Sequence, residues 1–306
     1  MRAWVPHERI AAAIRDLPGV DVIVRDARSV ATGAGPADID EVEFYVPEFF
    51  LSRDGIVAME RLPKLRVVQT QTAGVDKLLP HIPAGVTLCN ARGVHDAGTA
   101  EWVVTAILAA LRQFDHFARE QAVAHWDYRF TDCLDGKTVL IVGYGAIGAA
   151  VEQRLAGFEL EVRRVARNPR PGVAAVSDLP RLLPAADVVV VLAPVTPDTI
   201  GMVDAEFLRR MHDGALLVNA ARGSLVVTGA LLAELQRGRL RAALDVTDPE
   251  PLPPGHPLWT APNVLITPHV AGSTPASERR MLRLIREQAG RHVRGEPLAN
   301  VISGKY

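Results

Sequence analysis

The segment that most constrains this chain is Thr138-Val139-Leu140-Ile141-Val142, followed at once by Gly143-Tyr144-Gly145-Ala146-Ile147-Gly148. The apolar run predicts a strand, the glycines a tight turn, and the pattern beyond them a helix reaching about Gly157. Gly143 permits the turn, Gly145 lets backbone N–H groups approach a pyrophosphate, and Gly148 lets the helix pack close to the strand. The helix N-terminus adds unpaired N–H donors and a favourable dipole for an anion. Three glycines alone fit any strand–helix turn. With a strand before and a helix after, Gly143, Tyr144, Gly145, Ala146, Ile147 and Gly148 point to a dinucleotide cradle.

The same rhythm of short apolar run, turn and helical pattern recurs along the chain. Val22–Val24, Glu43–Val46, Leu65–Val68 and Val86–Leu88 read as strands before the glycine motif. Val162–Val165, Asp187–Leu192, Ala215–Val218, Ala242–Asp245 and Val264–Ile266 read as strands after it. Glu8–Leu17, Ser52–Leu62 and a long stretch from Ala97 to Ala124 carry helical spacing. Val188-Val189-Val190-Val191-Leu192 has no polar alternation, which requires cover on both faces and therefore a parallel sheet between helices. The expected class is α/β and doubly wound. The 306 residues, at roughly 150 per domain, suggest about two domains. Asp248–Pro262 holds Pro249, Pro251, Pro253, Pro254, Pro257 and Pro262 and is expected to be an extended loop without helix.

Composition removes several function classes. With 34 Lys+Arg against 35 Asp+Glu, the net charge of -1 speaks against a nucleic-acid partner or a polybasic membrane anchor. No apolar run approaches the ~20 residues of a membrane span, and the N-terminal residues lack the apolar core of an export signal. Cys89 and Cys133 read as buried, reduced thiols, which fits a cytoplasmic protein.

Cofactor identity turns on the end of the strand after the glycine motif. An NAD site usually places an Asp or Glu there for the ribose hydroxyls. Here Glu161-Val162-Arg163-Arg164-Val165 ends in Ala166-Arg167-Asn168-Pro169-Arg170, without a carboxylate. Arg167 can bind a 2′-phosphate through charge-assisted hydrogen bonds, so NADP is the expected cofactor and NAD the alternative. The plainer reading of these arginines is a solvated turn.

Further segments carry a resemblance: Asn219-Ala220-Ala221-Arg222-Gly223, Leu244-Asp245-Val246-Thr247-Asp248-Pro249-Glu250-Pro251, and Thr267-Pro268-His269-Val270-Ala271-Gly272-Ser273-Thr274. In this order, with the glycine motif, the chain resembles the D-isomer-specific 2-hydroxyacid dehydrogenases, NADP-preferring and glyoxylate/hydroxypyruvate reductase-like. The resemblance covers nearly the whole chain and is strongest from Thr138 to Thr274. It implies Arg222 as the substrate-binding arginine, Glu250 as carboxylate partner and His269 as acid/base. The chemistry agrees: a forked guanidinium suits a planar 2-keto acid, and imidazolium protonates the oxygen as hydride arrives. Singly, each has a duller reading as a surface arginine, a loop histidine or a solvated glutamate; their joint order gives them weight.

By the same resemblance, Gln71-Thr72-Ala73-Gly74-Val75-Asp76 matches the loop whose amides hold the substrate carboxylate, nominating Ala73, Gly74 and Val75. Thr99, Ala193, Pro194, Ala220 and Asp245 match cofactor-side positions. The implied fold is a Rossmann cofactor domain, residues 96–274, inserted into a flavodoxin-like substrate domain made of 1–95 and 275–306. A small 2-keto or 2-hydroxy acid is the expected partner, with no metal, and a homodimer whose arm includes His125-Trp126-Asp127. One departure is the aromatic run Phe44-Tyr45-Val46-Pro47-Glu48-Phe49-Phe50, where Tyr45, Phe49 or Phe50 either shape a substrate pocket or pack the core. Formate and phosphite oxidisers resemble the chain overall, but formate oxidisers carry glutamine where it has Glu250. Dinucleotide-sensing binding proteins on this fold are the alternative of another class.

Overall fold

The structure is a computed structural model describing residues 1–31, 37–49 and 52–302. It divides into two units, Met1–His95 with the segment from Pro275 onward, and Asp96–Thr274.

The first unit opens with β1 (Arg2–Val5), α1 (Glu8–Ile14), β2 (Asp21–Val24), α2 (Ala27–Ala31) and β3 (Val42–Tyr45). It continues with α3 (Arg53–Glu60), β4 (Val67–Gln69) and β5 (Thr87–Cys89). The strands are all parallel in the order β2-β1-β3-β4-β5, which reverses direction between β1 and β3. Sequence reading passes over β1, because Arg2-Ala3-Trp4-Val5 has neither alternation nor a β-branched run; burial of Ala3, Trp4 and Val5 makes it a strand. Ser52 accepts a hydrogen bond from the Gly55 N–H at 3.1 Å and so starts α3 one residue later than the periodicity suggests.

The second unit begins with α4 (Asp96–Leu111), α5 (Phe114–Ala122), β6 (Thr138–Val142), α6 (Ala146–Leu155), β7 (Glu161–Ala166) and β8 (Ala174–Ala175). After α7 (Leu179–Leu182) come β9 (Val188–Val191), α8 (Ala205–Arg210), β10 (Leu216–Asn219), α9 (Thr228–Gln236), β11 (Arg241–Leu244) and β12 (Val264–Ile266). Its parallel sheet runs β12-β11-β10-β9-β6-β7-β8, with the reversal between β9 and β6. Side chains alternate between two cores. Val139, Ile141, Val188 and Val190 pack with Ala100, Val103 and Ile107 of α4, while Leu140, Val142, Val189 and Val191 pack with Leu179, Phe207 and Leu231. That double burial is why β9 is valine throughout.

The chain then returns to the first unit as α10 (Pro275–Arg294), whose Met281, Ile285 and Ala289 join the core of β1, β3 and α1. Buried Gln288 ties it down: its amide donates to Gln69 Oε1 at 2.9 Å and to the Ala299 carbonyl at 2.7 Å.

Several expectations need correction. The long helix is two helices, because Gln113 adopts a left-handed φ of 53° and the Leu111 carbonyl accepts from the Asp132 N–H instead of continuing the ladder. The proline-rich loop contains a short 3-10 helix, Pro257–Thr260, begun by His256 accepting from the Leu258 N–H. Cys89 is buried, which pushes its thiol up to about 11, but Cys133 is exposed. Tyr45 belongs to the core, stacked on Trp4 with ring centroids 4.6 Å apart, and burial raises its hydroxyl pKa. Phe49 is half-buried against His95, and Phe50 lies outside the described residues.

Candidate active site

In a parallel sheet all strand ends of one kind share an edge, and ligands gather beyond the carboxyl ends near the order reversal. The second unit's candidates follow such ends: Gly143 after β6, Arg167 after β7, Ala193 and Pro194 after β9, Ala220 and Arg222 after β10, Asp245 and Glu250 after β11, His269 after β12.

The loop after β10 is shaped by buried Asn219. Its Oδ1 accepts from the Ala221 N–H at 3.1 Å and its Nδ2 donates to the Arg222 carbonyl at 2.9 Å. Gly223 follows because nothing larger fits: a Cβ there would lie 1.9 Å from the Thr247 carbonyl oxygen. The Arg222 guanidinium donates to the Ala221 carbonyl at 2.8 Å.

His269 stands in the left-handed region at φ 55°. Its N–H donates to the Asp245 carbonyl at 2.7 Å, and Asp245's buried carboxylate holds the rest of the loop. Oδ1 accepts from Thr267 Oγ1 at 2.6 Å and the Val270 N–H at 2.9 Å; Oδ2 accepts from the Ala271 N–H at 2.9 Å. His269 Nδ1 lies 2.6 Å from Glu250 Oε1, both side chains being a third exposed. Since a carboxylate accepts, Nδ1 carries the proton, which aims Nε2 away from Glu250. Glu250 itself stands between two cis prolyl bonds, Asp248–Pro249 and Glu250–Pro251.

The glycine turn is anchored to β7, with Gly143 and Tyr144 N–H groups both donating to the Val165 carbonyl at 2.9 and 3.0 Å. A Cβ on Gly143 would lie 2.4 Å from the Ala193 nitrogen, so glycine brings this turn against the loop after β9. A Cβ on Gly145 would meet nothing within 4 Å, and the Ala146 and Ile147 N–H groups opening α6 have no acceptor among the described residues. An open face with unpaired donors at a helix N-terminus fits a pyrophosphate. Thr99 is buried in the first turn of α4, which packs on β10 and β11.

The four arginines beyond the glycine motif are not equivalent. Arg163 pairs with Glu161, Arg164 with Glu152, and Arg170 lies over the Tyr144 ring. Arg167 is exposed and makes no hydrogen bond or ion pair among the described residues. The Arg164 guanidinium holds the Glu152 carboxyl below the usual range, and Tyr144's bond to that carboxylate raises the phenol's pKa.

In the first unit, the loop after β4 has its carbonyls tied inward. Gln71 O accepts from His95 Nε2 at 2.9 Å, Thr72 O from Thr70 Oγ1 at 2.7 Å, Ala73 O from Asn90 Nδ2 at 2.7 Å and Gly74 O from Thr72 Oγ1 at 2.8 Å. The Gly74 and Val75 N–H groups have no acceptor among the described residues. Asn219, Thr70, Thr72, Asn90 and Glu152 are the supporting residues that sequence reasoning did not single out. The Asn219-x-x-Arg222 spacing at a strand end is an Asx-type turn signal and was available; the others depend on residues distant in sequence.

Residues 104–271 match the family described as D-isomer specific 2-hydroxyacid dehydrogenase, NAD binding domain. A glyoxylate reductase of Thermofilum pendens is 35% identical over 241 residues, 74% of this chain and 71% of that protein. A D-isomer specific 2-hydroxyacid dehydrogenase of Xanthobacter autotrophicus, solved with NADPH and MES, superposes with a TM-score of 0.82 at 31% identity, covering 99% of this chain and 97% of the other. An NADPH-dependent glyoxylate/hydroxypyruvate reductase of Sinorhizobium meliloti, solved with NADP and malonate, gives 0.83 at 25% identity over 99% and 96%. The site defines a nicotinamide-dinucleotide oxidoreductase. This chain belongs to the D-isomer-specific 2-hydroxyacid dehydrogenase family.

Proposed function

We propose that this enzyme reduces small 2-keto acids to D-2-hydroxy acids, with NADPH as the preferred cofactor. The observation that carries the reading is the His269–Glu250 pair, 2.6 Å apart on loops that follow adjacent strands. Bound NADPH supplies the hydride to the carbonyl carbon. Glu250 holds His269 through Nδ1, which leaves Nε2 to deliver the proton to the carbonyl oxygen. Arg222 binds the substrate's carboxylate and carbonyl oxygens through its forked donors. Ala73, Gly74 and Val75 are the proposed carboxylate-binding loop, supported by the Gly74 and Val75 N–H groups, which have no acceptor among the described residues.

Cofactor contacts are assigned to Thr99, Gly143 through Gly148, Ala193, Pro194, Ala220 and Asp245, with Arg167 reading the 2′-phosphate. The missing acid after β7 and an Arg167 without a partner among the described residues support NADPH. The test is loss of absorbance at the NADPH band with glyoxylate, hydroxypyruvate and larger 2-keto acids, together with the chirality of the product. A D-hydroxy acid formed faster with NADPH than with NADH is the expected result; no turnover with any of these acids contradicts it.

We also infer a cytoplasmic homodimer. No helix among the described residues is long and apolar enough to cross a membrane. Trp126, Tyr128 and Phe130 are 93%, 80% and 90% exposed on one segment of the second unit, which supports a contact with a second copy. Replacing Trp126 and Phe130 together by Ala is expected to shift the solution mass from dimer to monomer in light scattering.

A further inference from the structure

Tyr144 fills the second position of the glycine motif with an aromatic ring, and two guanidiniums face that ring. Arg164 Cζ lies 5.7 Å from the ring centroid and Arg170 Cζ lies 5.5 Å from it. Only one of the two charges is cancelled. Glu152, one helix face along α6, accepts from Arg164 Nε at 2.7 Å, pairs with Arg164 Nη2, and accepts the Tyr144 hydroxyl. Arg170 has no carboxylate partner among the described residues.

Arg170 is nevertheless held. Its backbone exchanges hydrogen bonds with Val173 at 3.1 and 2.8 Å across Pro171-Gly172, with Gly172 at φ 76° as such a turn requires. Its Nη2 donates to the Tyr144 carbonyl at 2.9 Å, next to the point where Tyr144's own N–H meets β7. The ring has room because residue 148 is glycine: a Cβ there would lie 3.2 Å from Tyr144 Cδ2. Arg167, three residues earlier, has none of this support.

We infer that Tyr144 is a specificity-determining residue whose ring, braced by Glu152 and Arg164, holds Arg170 as a fixed cation beside the cofactor's 2′-phosphate. This rests on the NADPH reading above. A flexible arginine must be ordered when the phosphate binds, whereas a stacked one is already in place. Arg170 serves as the preorganised charge and Arg167 as the adaptable one. NADH lacks the phosphate and gains nothing from the stack.

The experiment measures dissociation constants for NADPH and NADH by cofactor fluorescence, which does not depend on the substrate. Wild type is expected to bind NADPH more tightly. Tyr144→Leu removes the ring and is expected to reduce the NADPH-over-NADH preference about tenfold. Tyr144→Phe keeps the ring and is expected to retain the preference within about threefold, which a need for the phenol alone would not allow. Arg170→Gln, an exposed change, is expected to match Tyr144→Leu, and the double variant to be no worse than either single one because both act through one stack. Equal weakening of both cofactors in Tyr144→Leu, or additive losses in the double variant, overturns the inference. Should Tyr144→Leu fail to fold, an Arg170→Gln protein with unchanged preference overturns it equally. A wild type that favours NADH overturns the cofactor reading itself, before any substitution is made.

Discussion

The loop after β4 and the loop after β12 are both fixed by hydrogen bonds, but the bonds run in opposite directions. Around His269, a buried carboxylate accepts: Asp245 takes the N–H groups of Val270 and Ala271 and the hydroxyl of Thr267. Backbone donors are used up there, and what the loop presents is a side chain, the imidazole paired with Glu250. Around Gly74, side chains donate: Thr70, Thr72, Asn90 and His95 bond the carbonyls, and what remains without an acceptor among the described residues is the N–H of Gly74 and Val75. In the function proposed above, one arrangement delivers a proton donor and the other an anion site. The direction of the supporting bonds decides which.

The comparison breaks most visibly at Asp245. In Asp245→Asn one carboxylate oxygen becomes an NH₂ facing a backbone N–H, so a buried donor loses its acceptor at a cost of about 1–3 kcal/mol. The expected outcome is a lower melting temperature and a kcat reduced about a hundredfold, since a displaced imidazole loses its proton-transfer geometry. Full kcat in Asp245→Asn would show that the buried carboxylate does not set the histidine's position.

At the other loop the expected effect falls on substrate affinity. Asn90→Ala frees the Ala73 carbonyl and lets the loop relax, which is expected to raise KM for a 2-keto acid about tenfold with kcat changed by less than about threefold. Steady-state kinetics at saturating NADPH separates the two parameters. A change in kcat alone would place Asn90 with the catalytic loop instead. Thr72→Val, which removes only the hydroxyl bonded to the Gly74 carbonyl, is expected to raise KM by about two- to threefold.

Much of the architecture is legible in the sequence because its signals are local. Val188–Val191 announces cover on both faces, and Thr138–Gly148 announces strand, turn and helix, as the structure shows. β1 is silent because its four residues become a strand only through burial. The break between α4 and α5 is silent because apolar spacing continues past Leu111 while Gln113 changes hand. At the site, residue types after strand ends can be read from sequence, but their supports cannot. Asp245 binds a loop 22 to 26 residues further on, and Gln71 receives His95 from 24 residues away. The arginines in and after β7 look alike as letters; Glu161 and Glu152 make the two within the strand, Arg163 and Arg164, structural. As a letter Tyr45 fits a pocket or the core equally; its packing against Trp4 places it in the core.

The most direct measurement compares NADPH consumption with glyoxylate in wild type and His269→Ala, with NADPH binding followed in parallel by fluorescence. A proton donor held by Glu250 predicts that His269→Ala binds NADPH within about threefold of wild type while kcat falls about a thousandfold. Turnover in His269→Ala at the wild-type rate would contradict the account.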